Sequence, residues 1–166
     1  MKAHIFLAIA LACCRVFPAV CAEAGAPIRI EPDVVYGHKD GLALTMDVYK
    51  PEESANGAAI LFMVSGGWFS PWAPPEKTKP LFQPYLDQGY TLMAVRHGSS
   101  PRYAIPEIAA DVRLATRYAR QNAARYGIDP ERIGAMGMSA GGHLALLLGT
   151  TGDDGAPGAK DELERV

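Results

Sequence analysis

Past Cys21 the sequence holds no cysteine, and past His143 it holds no histidine. The first absence excludes disulfides and a thiol nucleophile from most of the chain, since Cys13, Cys14 and Cys21 all crowd the N-terminus. The second bears on any chemistry that needs an imidazole late in the chain. Excess positive charge is missing too. With 16 Lys and Arg against 18 Asp and Glu, and no basic stripe, the chain lacks the electrostatic footprint of a nucleic-acid binder. There is also no long apolar run: residues 5–14 near the start are too few to span a bilayer, so no transmembrane helix is expected.

What the N-terminus does have is the layout of an export signal. Lys2 gives a positive start, residues 5–14 an apolar stretch, and Val20-Cys21-Ala22 a small-residue cleavage pattern. Residues 1–22 therefore read as a signal peptide cut after Ala22, and the expected location is secreted or periplasmic. Ala10-Leu11-Ala12-Cys13 comes near a bacterial lipobox but lacks leucine at its first position, which makes lipid anchoring the lesser reading. Cleavage would remove every cysteine. Residues 23–32 read as a linker and residues 33–166 as a single domain, in a chain hydrophobic enough, at 49%, to pack a core.

Apolar patterning orders that domain. Residues 34–51 read as two strands around Lys39-Asp40-Gly41, with Leu42, Leu44, Met46 and Val48 alternating against smaller or polar residues. Residues 58–64 (AAILFMV) and 90–95 (YTLMAV) are continuous apolar runs, which suit strands covered on both faces. A Pro- and Trp-rich loop over 68–80 and a short helix over 82–88 separate them. Ile108, Val112, Ala115, Tyr118 and Ala119 recur at helical spacing after Pro106, and Gly127 is the stop. A fifth strand, residues 132–138, precedes a helix over 140–148. Strands alternating with helices predict an α/β domain: a mostly parallel sheet, an antiparallel leading hairpin, and helices on both faces.

Gly137-Met138-Ser139-Ala140-Gly141 fits G-x-S-x-G where the last strand gives way to a helix. Glycines flanking a serine permit a turn too sharp for a β-carbon. Such a turn leaves the hydroxyl exposed, with the N–H groups of the new helix facing charge that develops beside it. Ser139 is the candidate nucleophile. A dinucleotide loop is the lesser reading, because Gly134, Gly137, Gly141 and Gly142 do not make G-x-G-x-x-G and do not open the first βαβ unit. Gly66-Gly67-Trp68 follows the third strand, where glycines let backbone amides turn inward toward an oxyanion. Trp68, Phe69 and Trp72 are candidates to line a substrate pocket, against the plainer reading of a packed loop.

With both motifs in view, the chain resembles the α/β-hydrolase superfamily. It looks closest to secreted bacterial esterases of the feruloyl/acetyl-xylan and carboxylesterase type, which carry H-G-G-x-W and G-x-S-A-G-G-H motifs. The resemblance covers about residues 34–159 and gives the N-terminal half of the α/β-hydrolase fold. It implies a serine hydrolase of carboxylic esters, small-molecule or polysaccharide-linked, acting through an acyl-enzyme with no cofactor and no metal. It carries Ser139 over as nucleophile, and Gly67, Trp68 and Ala140 as the oxyanion N–H donors. Ser65 stands where the family has a histidine, the residue that usually braces the loop.

On that fold the triad runs Ser, Asp/Glu, His. The one histidine after Ser139 is His143, a helical turn along and expected to point into the helix's packing surface as a structural residue. His97, just past the fourth strand, is the alternative base, against the fold's order. His38 lies in the hairpin, Asp111 on the long helix in a surface or helix–loop contact, and Asp153 and Asp154 have no histidine after them. The chain thus reads as the first part of a hydrolase, truncated before its acid and base and inactive as a fragment. Two other readings stay open: a secreted non-catalytic binding protein on the same fold, and a prolyl-oligopeptidase-like peptidase.

Overall fold

The computed structural model describes residues 27–152; the expected signal peptide, the first residues of the expected linker, Asp153 and Asp154 lie outside them. In chain order the elements are β1 (Ile28–Lys39), β2 (Leu42–Pro51), β3 (Ala59–Met63), α1 (Pro75–Leu86), β4 (Thr91–Val95), α2 (Ile105–Gln121), α3 (Ala123–Tyr126), β5 (Ile133–Gly137) and α4 (Ala140–Thr150). One sheet has the order β1-β2-β4-β3-β5. β3, β4 and β5 are parallel, while β2 runs antiparallel to both β4 and β1. Asp40 and Gly41, both at positive φ, form the two-residue turn of the leading hairpin, the geometry that matches the twist of paired strands.

Alternation along the strands divides the core in two. Leu44, Met46 and Val48 of β2, Leu61 and Met63 of β3, and Met93 and Val95 of β4 face one side, where Ile108, Val112, Ala115 and Ala119 of α2 and Leu144 and Leu148 of α4 meet them. Tyr49, Phe62, Leu92 and Ala94 face the other, against Phe82 and Leu86 of α1. Both faces of β3 and β4 are thus covered, which is why these runs are apolar without interruption. Phe82 sits edge-on to Tyr49 and Phe62, each with ring centroids 5.1 Å apart.

Two expectations need correction. The linker expected over residues 23–32 gives way to strand at Ile28, because Ile28 and Ile30 alternate with Arg29 and Glu31 and pack against the α1-side core while pairing with Pro51 and Tyr49. The helix expected over 82–88 starts earlier, at Pro75, and ends at Leu86. Pro75 suits a first turn, where its missing N–H is no loss. Pro80 and Pro84 are carried inside the helix because Phe82 and Leu86 are fully buried and Tyr49 grips the first turn through Thr78 at 2.6 Å. Packing overrides propensity there.

Candidate active site

The sheet register collects the sequence motifs at one edge. Met63 pairs with both Val95 and Gly137, so the chain leaving β3, β4 and β5 emerges side by side at the carboxyl ends of the parallel strands, where open α/β sheets place ligands. Ser139 lies between the end of β5 and the start of α4, with φ 51° and ψ −120°. Its side of the turn is exposed, and its hydroxyl makes no hydrogen bond among the described residues. The flanking glycines have a steric cause. A β-carbon on Gly137 would stand 2.4 Å from the Gly141 carbonyl carbon, and one on Gly141 would stand 2.4 Å from the Met63 carbonyl oxygen. The turn closes only if both are bare.

Gly66 and Phe69 exchange both backbone hydrogen bonds, at 2.9 and 3.0 Å, around Gly67 and Trp68. Both central residues have positive φ, 57° and 61°. Neither of their N–H groups meets another backbone carbonyl among the described residues. Ala140 opens α4, where the first N–H groups have no carbonyl in their own helix. Three unclaimed donors therefore sit at the same edge as the Ser139 hydroxyl, on two adjacent strand ends.

Serines that sequence reasoning passed over hold this loop. Ser70 Oγ donates to the Val64 carbonyl at 2.6 Å, the Ser70 N–H donates to Ser99 Oγ at 3.0 Å, and the Ser100 N–H donates to the Trp68 carbonyl at 2.9 Å. Ser65, at the position where the resembling family has histidine, contributes no brace: its Oγ is buried without a partner among the described residues.

Each of His97 and His143 has its ring Nδ1 hydrogen-bonded to a residue other than Ser139. His97 is buried beyond β4, its Nδ1 against the Gly98 carbonyl at 2.7 Å and its Nε2 unpartnered among the described residues. Burial, opposed by the Gly98 carbonyl, lowers its pKa below the ordinary 6.5 and favours the neutral ring. His143 corrects an expectation: its side chain lies exposed at the surface, outside the packing face of α4, with Nδ1 accepting the Trp68 indole N–H at 3.4 Å. Asp111 is buried and joins helix to loop, accepting from the Gly98 N–H at 2.9 Å and from Lys39 at 2.8 Å. Neither histidine bonds the Ser139 hydroxyl.

A cavity of about 220 Å³ opens beside the loop and the elbow. Phe62, Val64, Pro71, Leu81, Phe82 and Met138 supply most of its apolar wall, and Ser65 and Gly66 its rim. Arg96 and Asp47, a buried ion pair, also line it, and Arg96 further bonds Asp33 at 2.7 Å and Thr45 at 2.9 Å. This buried pair was legible in principle, as an aspartate inside an apolar strand and an arginine ending the next one. Trp68 packs against the α2-side core, whereas Phe69 and Trp72 are 55% and 59% exposed, and none of the three walls this cavity.

Comparison with known proteins agrees with this architecture. The BD-FAE family model matches residues 46–164. Esterase LipQ of Mycobacterium tuberculosis is 32% identical over 126 residues, 75% of this chain and 30% of that protein. A solved thermophilic esterase of Thermogutta terrifontis superimposes with TM-score 0.63 at 30% identity, over 83% of this chain and 48% of that one. A truncated carbohydrate esterase from gut microbiota gives TM-score 0.65 at 33% identity, over 79% and 46%. The chain thus spans about a third of the first curated relative and under half of these structures. With that family model matched over most of its length and esterase folds superimposed on its sheet, the chain belongs to the BD-FAE family and has the α/β-hydrolase fold of esterases.

Proposed function

We propose that this chain supplies the nucleophile and the oxyanion hole of a serine esterase. Ser139 Oγ attacks the ester carbonyl, the oxygen becomes an oxyanion, and the N–H groups of Gly67, Trp68 and Ala140 stabilise it where charge develops. The alkoxide leaves with a proton, and water then releases the acyl group from Ser139. The observation that carries the reading is the positive φ of Ser139 at a strand–helix junction whose glycines admit no β-carbon. A residue with a β-carbon holds such a backbone only where its surroundings enforce it, and enforced strain gathers at functional sites.

The base that takes the Ser139 proton, and the acid that orients it, are assigned to residues outside the described ones, since neither His97 nor His143 hydrogen-bonds the Ser139 hydroxyl and the fold's order places the histidine after an acid that follows the serine. The apolar cavity beside Met138 takes one side of the ester. Carbohydrate-linked esters are the favoured substrates, by likeness to the gut-microbial carbohydrate esterase, and export by the N-terminal signal would bring the protein to them. The test is turnover of p-nitrophenyl acetate and of acetylated or feruloylated xylan by the protein in the full length its gene encodes. Ser139→Ala should lower kcat by about a million-fold. Unchanged turnover in that variant would overturn the assignment.

A further inference from the structure

Trp68 is an odd residue to find at φ 61°. Left-handed backbone is free to Gly67 beside it, but strains a residue with a β-carbon. Something must hold Trp68 there. The Ser100 N–H fixes its carbonyl, and the indole is held from a different element altogether: Nε1–H donates to His143 Nδ1 at 3.4 Å, with the two rings edge-on at 5.8 Å and 82°. For that bond Nδ1 of His143 must be the unprotonated nitrogen.

His143 stands on the first turn of α4, and its own N–H donates to the Ser139 carbonyl at 3.0 Å. One residue therefore touches both halves of the candidate site. Through its backbone it belongs to the helix that carries Ser139 and the Ala140 N–H. Through its ring it holds the loop that carries the Gly67 and Trp68 N–H groups. Ser65 gives the loop no competing side-chain brace.

We infer that His143 is a positioning residue: it fixes the distance between the loop donors and the helix donor of the oxyanion hole by accepting the Trp68 indole N–H. This rests on the oxyanion assignment above. At 3.4 Å, in a solvent-exposed bond between a half-buried tryptophan and an exposed histidine, it adds little to global stability. Its effect is on geometry, where donors must be held within about 0.5 Å of the position that puts them about 3 Å from the oxyanion.

The test uses the full-length protein with Trp72→Phe, which leaves Trp68 as the one tryptophan of the chain described by this sequence. Trp68 anisotropy decay and the kcat and KM of p-nitrophenyl acetate hydrolysis are compared for His143, His143→Leu and His143→Gln. His143→Leu should loosen Trp68 and lower kcat about tenfold with KM within about twofold, short of the about hundredfold loss of a whole donor. His143→Gln, whose amide oxygen can accept the indole N–H, should recover most of both. Unchanged anisotropy and kcat in His143→Leu, or a glutamine variant no better than leucine, would overturn the inference. If the parent shows no Ser139-dependent turnover, the oxyanion reading fails by itself; the inference then falls with it, even where anisotropy upholds the Trp68–His143 contact.

Discussion

Gly141 and Met63 meet so closely that a single methyl group cannot be placed between them: a β-carbon on Gly141 would lie 2.4 Å from the Met63 carbonyl oxygen. The contact joins α4 to β3 through backbone on the Met63 side, which cannot swing away. Gly141→Ala should therefore cost about 3 kcal/mol, at the upper end of overpacking, read as a lowered urea midpoint. Gly66→Ala is the control. Its β-carbon meets nothing within 4 Å and its φ is not in the left-handed region, so its midpoint should stay within about 0.5 kcal/mol of the parent.

Arg96 and Asp47 form a pair with side chains only 10% and 3% exposed. Removing the cation leaves a buried carboxylate that also accepts the Asp33 N–H at 2.9 Å. Arg96→Met should destabilise by about 3–5 kcal/mol in chemical unfolding. Adding Asp47→Asn should return part of that loss, because the stranded charge is then gone. A double variant no better than the single one would mean that the cost lies in the lost packing of the arginine stem.

Burial holds His97 below its ordinary pKa, so the unfolded chain binds a proton at mildly acidic pH that the folded chain refuses. Stability from this group is complete above the ordinary histidine pKa of 6.5 and falls as the pH drops below it. His97→Gln should flatten the dependence of the unfolding midpoint between about pH 7 and pH 5. An unaltered slope would assign the pH dependence to other groups.

Among the described residues, β5 has β3 on one side and no strand on the other, with Gly134 and Ala135 exposed. Free strand edges pair with other chains, and after Arg132 no charge interrupts this one. The segment 23–166, expressed alone, should dimerise or aggregate at micromolar concentration by light scattering, and Ala135→Lys should suppress it. A monodisperse monomer that melts cooperatively would show that residues 153–166 cover the edge.

The sequence reads well wherever one physical rule dominates. Continuous apolar runs suit doubly covered strands, and both are. Gly137 and Gly141 could only serve a close approach, and the distances show it. It reads poorly where two rules compete. Pro80 and Pro84 argued against helix locally, and Phe82 and Leu86 outweighed them through contacts with β2 and β3 that no local window contains. Ser70, Ser99 and Ser100 were invisible for another reason. A serine's role as brace depends on which carbonyl or amide the fold brings to it, and the loop after β4 meets the loop after β3 only through the sheet.

The strand order also sets a timetable for synthesis. Ala59 of β3 pairs with Thr91 and with Ile133, both of which leave the ribosome after it. The hairpin of β1 and β2 can close as soon as Pro51 is made, since its partners lie within one short stretch of chain. β3, an interior strand of the sheet, must wait with both sides open until β4 and then β5 have been translated. Its Ala-Ile-Leu-Phe-Met run is the stretch a nascent chain would most need shielded, and the first place where a stalled or shortened transcript would aggregate. The elbow at Ser139 arrives last, once Gly141 has a finished Met63 carbonyl to close against.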